Sequence, residues 1–330
     1  MKDVRQKLAT GEPLDFLAYV STLVAALDPR AENPFEHASR QPVVTLPELV
    51  GSFADAELPE TAALLAALAV LGPDELGRAR ARQAFKASPH EVPGWLARLD
   101  QTSVDRAVES THVLGDGDNV MLNARLPGHD LTMVIYIDHN LGTVVKDGFP
   151  APADVDEVVR RLREAAAGQA AGDLGVHYDD IPLAEARARI SQAIENAARL
   201  FPPLETETWP ASRPLTEWLL SLLPQGGTGY IRPEWSKAAL RTLTNRFFVS
   251  PFGRGLDDQD HRELLGEFLR FGTDSGPGDP LRWSPVAVEI LLEDWISARS
   301  RGTRHSWARH PRCCGNSSGS VTASAASTRR

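Results

Sequence analysis

The sequence predicts an α+β protein that is predominantly α-helical, with a small antiparallel β-meander in the middle of the chain. Three observations predict this fold. Apolar residues recur at helical spacing over residues 1–100 and again over residues 176–296. Between these regions, short apolar runs are separated at regular intervals by turn-forming Gly, Asp, Asn and Pro. Most helical runs begin at Pro, Asp or Ser and end at Gly or Pro, the residues that start and stop helices.

Residues 1–100 are the predicted helical N-terminal region. Its first clear helix, 15–28, places six apolar side chains on one face: Phe16, Leu17, Val20, Leu23, Val24 and Leu27. Further helices are predicted at 45–55, 57–72, 74–85 and 92–100. The helix at 57–72 is apolar over most of its surface, which is typical of a helix enclosed by others in a bundle. No convincing fixed-period repeat relates these helices.

Residues 103–170 are predicted to form a four-stranded antiparallel meander with a covering helix. Turn-forming residues at 115–119, 127–130 and 139–142 separate the four strands. The second strand alternates, so that one face carries Val120, Leu122, Ala124 and Leu126. The third strand, LTMVIYI, is apolar on both faces, which predicts an interior position. A helix at 153–167 follows, and its Val and Leu residues are predicted to cover the sheet.

After a linker of small residues at 165–175, the chain is predicted to be helical again over 176–296. A long amphipathic helix comes first and ends at Pro202-Pro203, and four shorter helices follow it. Two tryptophans inside apolar helices, Trp218 and Trp295, are predicted to anchor the core.

The last 34 residues, 297–330, differ in composition from the rest of the chain. They contain eight Ser, seven Arg, both cysteines, no acidic residue and no Leu, Ile, Phe or Met. One interpretation is a disordered, basic Ser/Arg-rich tail. The other, which we favour, is a segment translated in a shifted reading frame.

The genetic code supports the shifted frame. If the first base of each codon becomes a second base, every Trp, Cys and TCN-type Ser codon yields a codon for an apolar residue. The affected positions are Ser306, Trp307, Cys313, Cys314, Ser317 and Ser318. Their spacings of one, six or seven, and eleven or twelve residues match one face of a helix. The shifted frame therefore encodes an amphipathic continuation of the helix predicted before Ile296.

The charge balance limits the partners that the protein is expected to bind. The formal net charge is −9, and residues 1–296 alone carry 28 basic and 44 acidic side chains. Such an acidic chain is a poor match for nucleic acid or for an anionic membrane. The N-terminus lacks the apolar segment of a signal peptide, and the longest apolar run, 62–72, is too short to span a bilayer. These features predict a cytoplasmic protein.

Catalytic chemistry has one candidate location, the hairpin between the third and fourth strands. Asp138, His139, Lys146 and Asp147 flank this hairpin. An Asp–His pair can act as a general base, and a Lys can stabilise a developing anion. The alternative is that Asp138 and His139 belong to ordinary turn chemistry, because Asp, Asn and Gly dominate turns. We favour the structural role.

None of the segments that could bind a metal or a phosphate matches the corresponding sequence motif. Counted from Asp116 in the GDGDN segment at 115–119, the fifth position of an EF-hand loop would be Val120, which cannot serve as a side-chain ligand. Residues 177–180 precede Ile181-Pro182, where helix capping explains the two Asp residues without a metal. The Gly-rich segment 224–237 lacks phosphate-loop spacing. No cysteine lies in residues 1–296, which excludes a thiolate zinc site there. We predict no metal and no cofactor.

A second basic feature lies before the basic tail, in the predicted helical region 176–296. Lys237, Arg241 and Arg246 line part of one predicted helix. They are suited to an acidic partner, although a solvated helix face is the more ordinary interpretation.

Three stretches resemble proteins of a family from high-GC bacteria that has no assigned function. They are GEPLDFLAYVSTLVAALDP, IDHNLGTVVKDGF and TETWPASRPLTEWLL, and the similarity extends over most of residues 10–296. The resemblance implies neither an activity nor catalytic residues. The leading functional hypothesis is therefore a non-catalytic cytoplasmic protein that binds another protein or serves as a regulatory scaffold. The alternative is a hydrolase or transferase with Asp138 and His139 as its base and Lys146 as its anion stabiliser.

Overall fold

The computed structural model describes residues 1–28, 44–167 and 175–296. It confirms the predicted fold class, because helices predominate and one antiparallel sheet lies in the middle of the chain. The predicted linker at 165–175 lies mostly outside the described residues, and the segment 297–330 lies wholly outside them. Both interpretations of that last segment stay predictions.

The N-terminal helices are α1 Lys2–Ala9, α2 Pro13–Ala26, α3 Leu46–Ala56, α4 Pro59–Leu71, α5 Glu75–Ala87 and α6 Gly94–Ala97. A 3₁₀ turn, Leu99–Gln101, leads into the sheet. The first turns of α2, α3 and α4 contain proline, whose fixed φ suits that position. Asp74 caps α5 by accepting a hydrogen bond from the Gly77 amide at 2.7 Å. Nearly every residue of α4 is buried, as its apolar surface predicts.

The strands are β1 Ser103–His112, β2 Gly117–Leu126, β3 His129–Asp138, β4 Val144–Ala151 and β5 Val176–Asp180. They form one antiparallel sheet in the order β4-β3-β2-β1-β5. The first four strands are the predicted meander, with β3 in the interior between β2 and β4.

The fifth strand corrects one prediction. The sequence explains the two Asp residues of 177–180 by capping of a helix that starts at Ile181-Pro182, and it predicts no strand there. In the structure these residues pair with β1, with Ser110 opposite Tyr178 and Val108 opposite Asp180. The open edge of β1 explains the difference, since it offers the segment a row of backbone hydrogen bonds.

The two faces of the sheet carry different layers. Along β2, Val120 and Leu122 face the main core, whereas Met121 faces the opposite side. Helix α7, Val155–Ala167, covers that opposite side with three buried valines, as predicted. Asn123 ties the helix to the sheet, because its Oδ1 accepts a hydrogen bond from the Val155 amide at 3.0 Å.

On the main-core face lie α8, Leu183–Ala197, and α9, Trp209–Ser221. One continuous apolar cluster extends from Val4 through the sheet to Leu223. It contains Trp218, as predicted. The predicted regions 1–100, 103–170 and 176–296 thus give the order of elements along the chain, while a shared core joins much of all three.

Helix α9 contains an internal proline, Pro214, which disrupts the backbone hydrogen bonds around it. A serine from α2 repairs this disruption. The Ser21 hydroxyl donates to the Ala211 carbonyl at 2.5 Å and accepts from the Leu215 amide at 3.2 Å. These two backbone groups would bond each other in a regular helix. Ser21 therefore fastens α2 to α9 at this point.

The last described part of the chain, up to residue 296, contains three α-helices: α10 Lys237–Val249, α11 Gln259–Asp274 and α12 Pro285–Ile290, which continues as a π-helical turn, Leu291–Ile296. We call α10 to α12 the C-terminal helices, and residues 1–28, 44–167 and 175–230 the body. Polar contacts hold these helices to the body and to the segment before α10. Ser284 Oγ lies 2.5 Å from Asp116 Oδ1, and the Arg232 guanidinium donates to the Thr273 carbonyl at 2.7 Å.

Candidate functional site

The hairpin between β3 and β4 brings together two of the four residues singled out in the sequence. Lys146 Nζ lies 3.2 Å from Asp138 Oδ2, and the other carboxylate oxygen accepts the Leu141 amide at 3.1 Å. Asp138 is buried, whereas Lys146 is one-third exposed. The carboxylate thus closes its own turn and pairs with the lysine, which is the structural role favoured by the sequence.

His139 does not pair with Asp138. Adjacent residues of an extended chain point to opposite sides of the sheet, so His139 lies on the main-core side. Its Nε2 is 2.8 Å from Asp118 Oδ2, and its Nδ1 is 3.3 Å from Thr143 Oγ1. The ring also meets the edge of Tyr230, with 4.8 Å between centroids. His139 therefore pairs with Asp118 instead, and both side chains are buried.

Asp147 takes a third position, beside the start of α9. Its Oδ1 accepts hydrogen bonds from the Gly148 amide at 2.8 Å and the Thr206 hydroxyl at 2.7 Å, and also from Thr208. These contacts fasten the chain before α9 to the outer strand β4. The structure therefore does not gather the four residues around one reaction centre.

A buried polar network lies behind His139. Tyr230 donates a hydrogen bond to Glu109 Oε1 at 3.3 Å, and Arg189 also donates to Glu109. The same guanidinium donates to Glu185 at 3.0 Å and lies 5.1 Å from the Tyr230 ring centroid. Burial raises the pKa of Tyr230, and the charges of Asp118 and Glu109 raise it further. The phenol therefore remains a hydrogen-bond donor at neutral pH.

Tyr136 experiences a similar environment on the other face of the sheet. Burial raises its pKa, and the charges of Asp138, Asp116 and Asp118 add to the effect. Its ring lies against Gly117, where a Cβ atom would come within 2.6 Å of the Tyr136 hydroxyl oxygen. Only glycine leaves room for the ring at this position.

The space beside this sheet end is small. A cavity bordered by Asp116, Asn140 and Ser284 has a volume of about 20 Å³, enough for one water molecule. The Asp116 carboxylate accepts from Asn140 Nδ2 at 2.7 Å as well as from Ser284. Among the residues that the structure describes, no group of three His, Cys, Asp or Glu side chains is placed to hold a metal ion. The polar side chains at this end of the sheet therefore bond to one another, and the space beside them holds about one water molecule.

A different feature opens to solvent among the C-terminal helices. An apolar groove of about 580 Å³ runs between α10, α11 and the chain before α12. Its lining residues are Leu243, Arg246, Phe247, Leu256, His261, Leu264, Leu265, Phe268, Leu269, Pro280, Leu281 and Trp283. Ten of the twelve are apolar, and none is acidic. We call this feature the C-terminal groove.

The walls of the C-terminal groove are open rather than enclosed. Leu264 is 45% exposed and Leu281 is 63% exposed. Large contiguous apolar surfaces on proteins are found at sites of interaction with other proteins or with ligands. Of the three basic residues noted in the sequence, Arg246 lines the groove, while Lys237 and Arg241 are not among its lining residues.

Sequence reasoning missed both the pairing of Asp118 with His139 and the groove. Asp118 shares its face of β2 with Val120 and Leu122, so the alternation that predicted the apolar face also marks this carboxylate as buried. For the groove, Leu243 and Phe247 on one helix and Leu264 and Phe268 on the next repeat at helical spacing. The missing information was the distance between the two helices.

The chain matches no protein-family model, no curated protein and no solved structure. The resemblance to a family from high-GC bacteria therefore stays a prediction. Within the described residues, no helix has both the length and the apolarity that crossing a bilayer requires.

Proposed function

We propose that this protein binds another protein, as an interaction or scaffold protein, and that the partner docks in the C-terminal groove. One observation carries the proposal: ten apolar side chains line an open channel between α10 and α11. Leaving such a surface in water is unfavourable by roughly 25 cal/mol for each Å² that a partner would cover. A partner that fills the groove recovers this free energy.

The shape of the groove supports a polypeptide as the ligand. Small-molecule sites bury most of their ligand in an enclosed cleft. Here Leu264 and Leu281 project from walls that remain open to solvent. Two helices that present an apolar channel form the kind of groove that receives an amphipathic helix, whose anchors recur every three or four residues.

The alternative, a hydrolase or transferase at the hairpin, has weaker support. It requires Asp138, His139 and Lys146 to converge on one pocket. Asp138 and Lys146 pair on one side of the sheet, whereas His139 is buried with Asp118 on the other side. A binding role at the C-terminal groove requires no such rearrangement.

Site-specific photo-crosslinking tests the proposed function. A photoreactive amino acid replaces Leu264 in the groove, and in a matched protein it replaces Leu76, which is exposed on α5. Both proteins are produced in cells of the source organism, irradiated and analysed by sequencing of the crosslinked peptides.

The proposal predicts one defined partner peptide, in stoichiometric yield, at position 264 and none at position 76. Equal, heterogeneous labelling at the two positions would show that the groove has no dedicated partner. Crosslinks confined to position 76 would contradict the proposal in the same way.

A further inference from the structure

We propose that the occupant of the C-terminal groove is a partner helix in which acidic residues flank an apolar stripe. This inference rests on the proposed function and adds the chemistry of the partner. The argument comes from the charges of the groove and of the helix that forms one of its walls.

The α10 wall of the groove is basic. Residues 235–256 contain four cationic side chains and no Asp or Glu: Lys237, Arg241, Arg246 and Arg254. In the part of the chain that the structure describes, none of the four forms a salt bridge, although the protein as a whole is acidic. Arg246 is the one that lines the groove.

No acidic residue lines the groove, and the two acidic residues just before α11 already have partners. Asp257 pairs with Arg262 at 2.5 Å, and Asp258 pairs with His261 at 2.8 Å. Among the residues that line the groove, Arg246 carries a full positive charge without a salt bridge, and that charge is available to an incoming ligand. Complementary charge at the rim of an interface speeds association and selects among partners, even where it adds little affinity.

The size of the wall suits a helix of ordinary length. Helix α10 has 13 residues, so it extends about 20 Å. A docked helix of similar length presents about four apolar anchors to the groove, and the positions beside its apolar stripe lie at the rim. Acidic residues at those positions would face Arg246.

The chain's own last segment has the wrong chemistry for this groove. Residues 297–330 contain seven Arg and no Leu, Ile, Phe or Met. In this reading frame they offer few large apolar anchors and no negative charge. A separate partner is therefore the better match for this frame, and the shifted-frame end is an outcome of the binding test.

Binding of designed peptides to the full-length protein tests the inference. Two synthetic peptides of about 14 residues, the length of α10, carry leucines at helical spacing and differ only in flanking Glu or Lys. Fluorescence anisotropy should show the Glu peptide binding about tenfold more tightly at low salt, with the preference shrinking as salt is added.

Three variants locate the effect, and each is first compared with the wild type by circular dichroism and thermal unfolding. Arg246→Glu should reverse the preference, so that the Lys peptide binds more tightly. Leu264→Asp should abolish binding of both peptides. Arg80→Glu, on the exposed face of α5, is the matched control and should leave both affinities unchanged.

Each other outcome has a defined meaning. Equal binding of the two peptides, or no response to Arg246→Glu, overturns the acidic-helix inference. If neither peptide binds but position 264 still crosslinks one partner, the inference fails and the proposed function stands. If a chain with the shifted-frame C-terminus no longer binds the Glu peptide, the groove belongs to the protein's own end, and the inference is again wrong.

Discussion

The body and the C-terminal helices are built from similar apolar side chains, but they bury them to different extents. A continuous core extends through the body from Val4 to Leu223. Among the described residues after 230, only four large apolar side chains are buried: Phe248, Leu269, Phe271 and Leu291. More than half of the exposed large apolar side chains also lie in this last part. The body therefore buries most of its large apolar side chains in one core, whereas the C-terminal helices leave apolar surface exposed that a partner can cover.

The polar contacts differ in the same direction. In the body, buried charges such as Glu109 are matched by Arg189 from another element. On α10, the cationic residues have no such match within the described chain. A region whose apolar and charged groups are both unmatched is a better candidate for binding than one in which both are satisfied.

The largest expected difference concerns local opening. Amide hydrogen exchange should reach the global unfolding limit in α4, β2 and β3, which lie in the core of the body. In α10 and α11 we expect exchange at least about a hundredfold faster, because few buried contacts oppose their opening. Mass spectrometry of exchanged peptides provides the measurement. Equal protection in the two regions would remove the basis of the comparison.

Much of the fold follows from the sequence because its signals are local. Turn residues at 127–130 and 139–142 place the strands, and the alternation through Val120 and Leu122 selects the core face of β2. The fifth strand was not predictable in this way, since Tyr178 is paired by a strand that lies far from it in sequence. Pairing between distant segments leaves no mark on local periodicity.

The contacts at the candidate site were likewise predictable only where they join residues close in sequence. The sequence placed Asp138 and Lys146 at one hairpin, and the structure pairs them. It could not assign His139 to Asp118, because that contact depends on the register between β2 and β3. The groove depends on how α10 packs against α11, which the separate periodicities of the two helices do not specify.

Matched leucine substitutions should separate the two regions most clearly in equilibrium stability. Leu68, on α4, is fully buried, so Leu68→Ala should lower the free energy of unfolding by about 3–4 kcal/mol. Leu264→Ala in the groove should lower it by less than about 1 kcal/mol, because that residue is already 45% exposed. Urea unfolding of the two variants tests both values. A comparable loss in Leu264→Ala would show that the groove wall supports the fold.

The charge network of the body provides a smaller effect. Glu109→Gln removes the buried carboxylate that accepts from Arg189 and Tyr230. We expect a loss of roughly 2 kcal/mol, less than for a fully isolated buried charge, since Arg189 keeps its contact with Glu185. Glu164→Gln, which removes an exposed pair with Arg160 on α7, is the control and should cost less than about 0.5 kcal/mol. Similar losses in both variants would argue against a special role for the network.

The smallest expected effect concerns Glu205, a half-buried carboxyl group whose negative charge is only partly compensated by a nearby positive charge. Burial raises the pKa of Glu205 above its ordinary value of 4.5, and the charge of Arg213 opposes the shift only in part. The folded state therefore holds this proton more tightly than the unfolded state. The resulting stability is present below the unfolded pKa and is lost as the pH rises through the folded pKa.

Glu205→Gln should consequently be more stable than the wild type in urea unfolding at about pH 7. The gain in the free energy of unfolding should be at most about 1 kcal/mol, because the carboxyl group is only half-buried. The advantage should disappear below about pH 4, where both proteins are neutral at this position. Glu207→Gln, at an exposed neighbour, supplies the control and should show no such dependence on pH. An advantage that grows as the pH falls would mean that the Glu205 carboxylate stabilises the body, so that charge matching there extends to this residue as well.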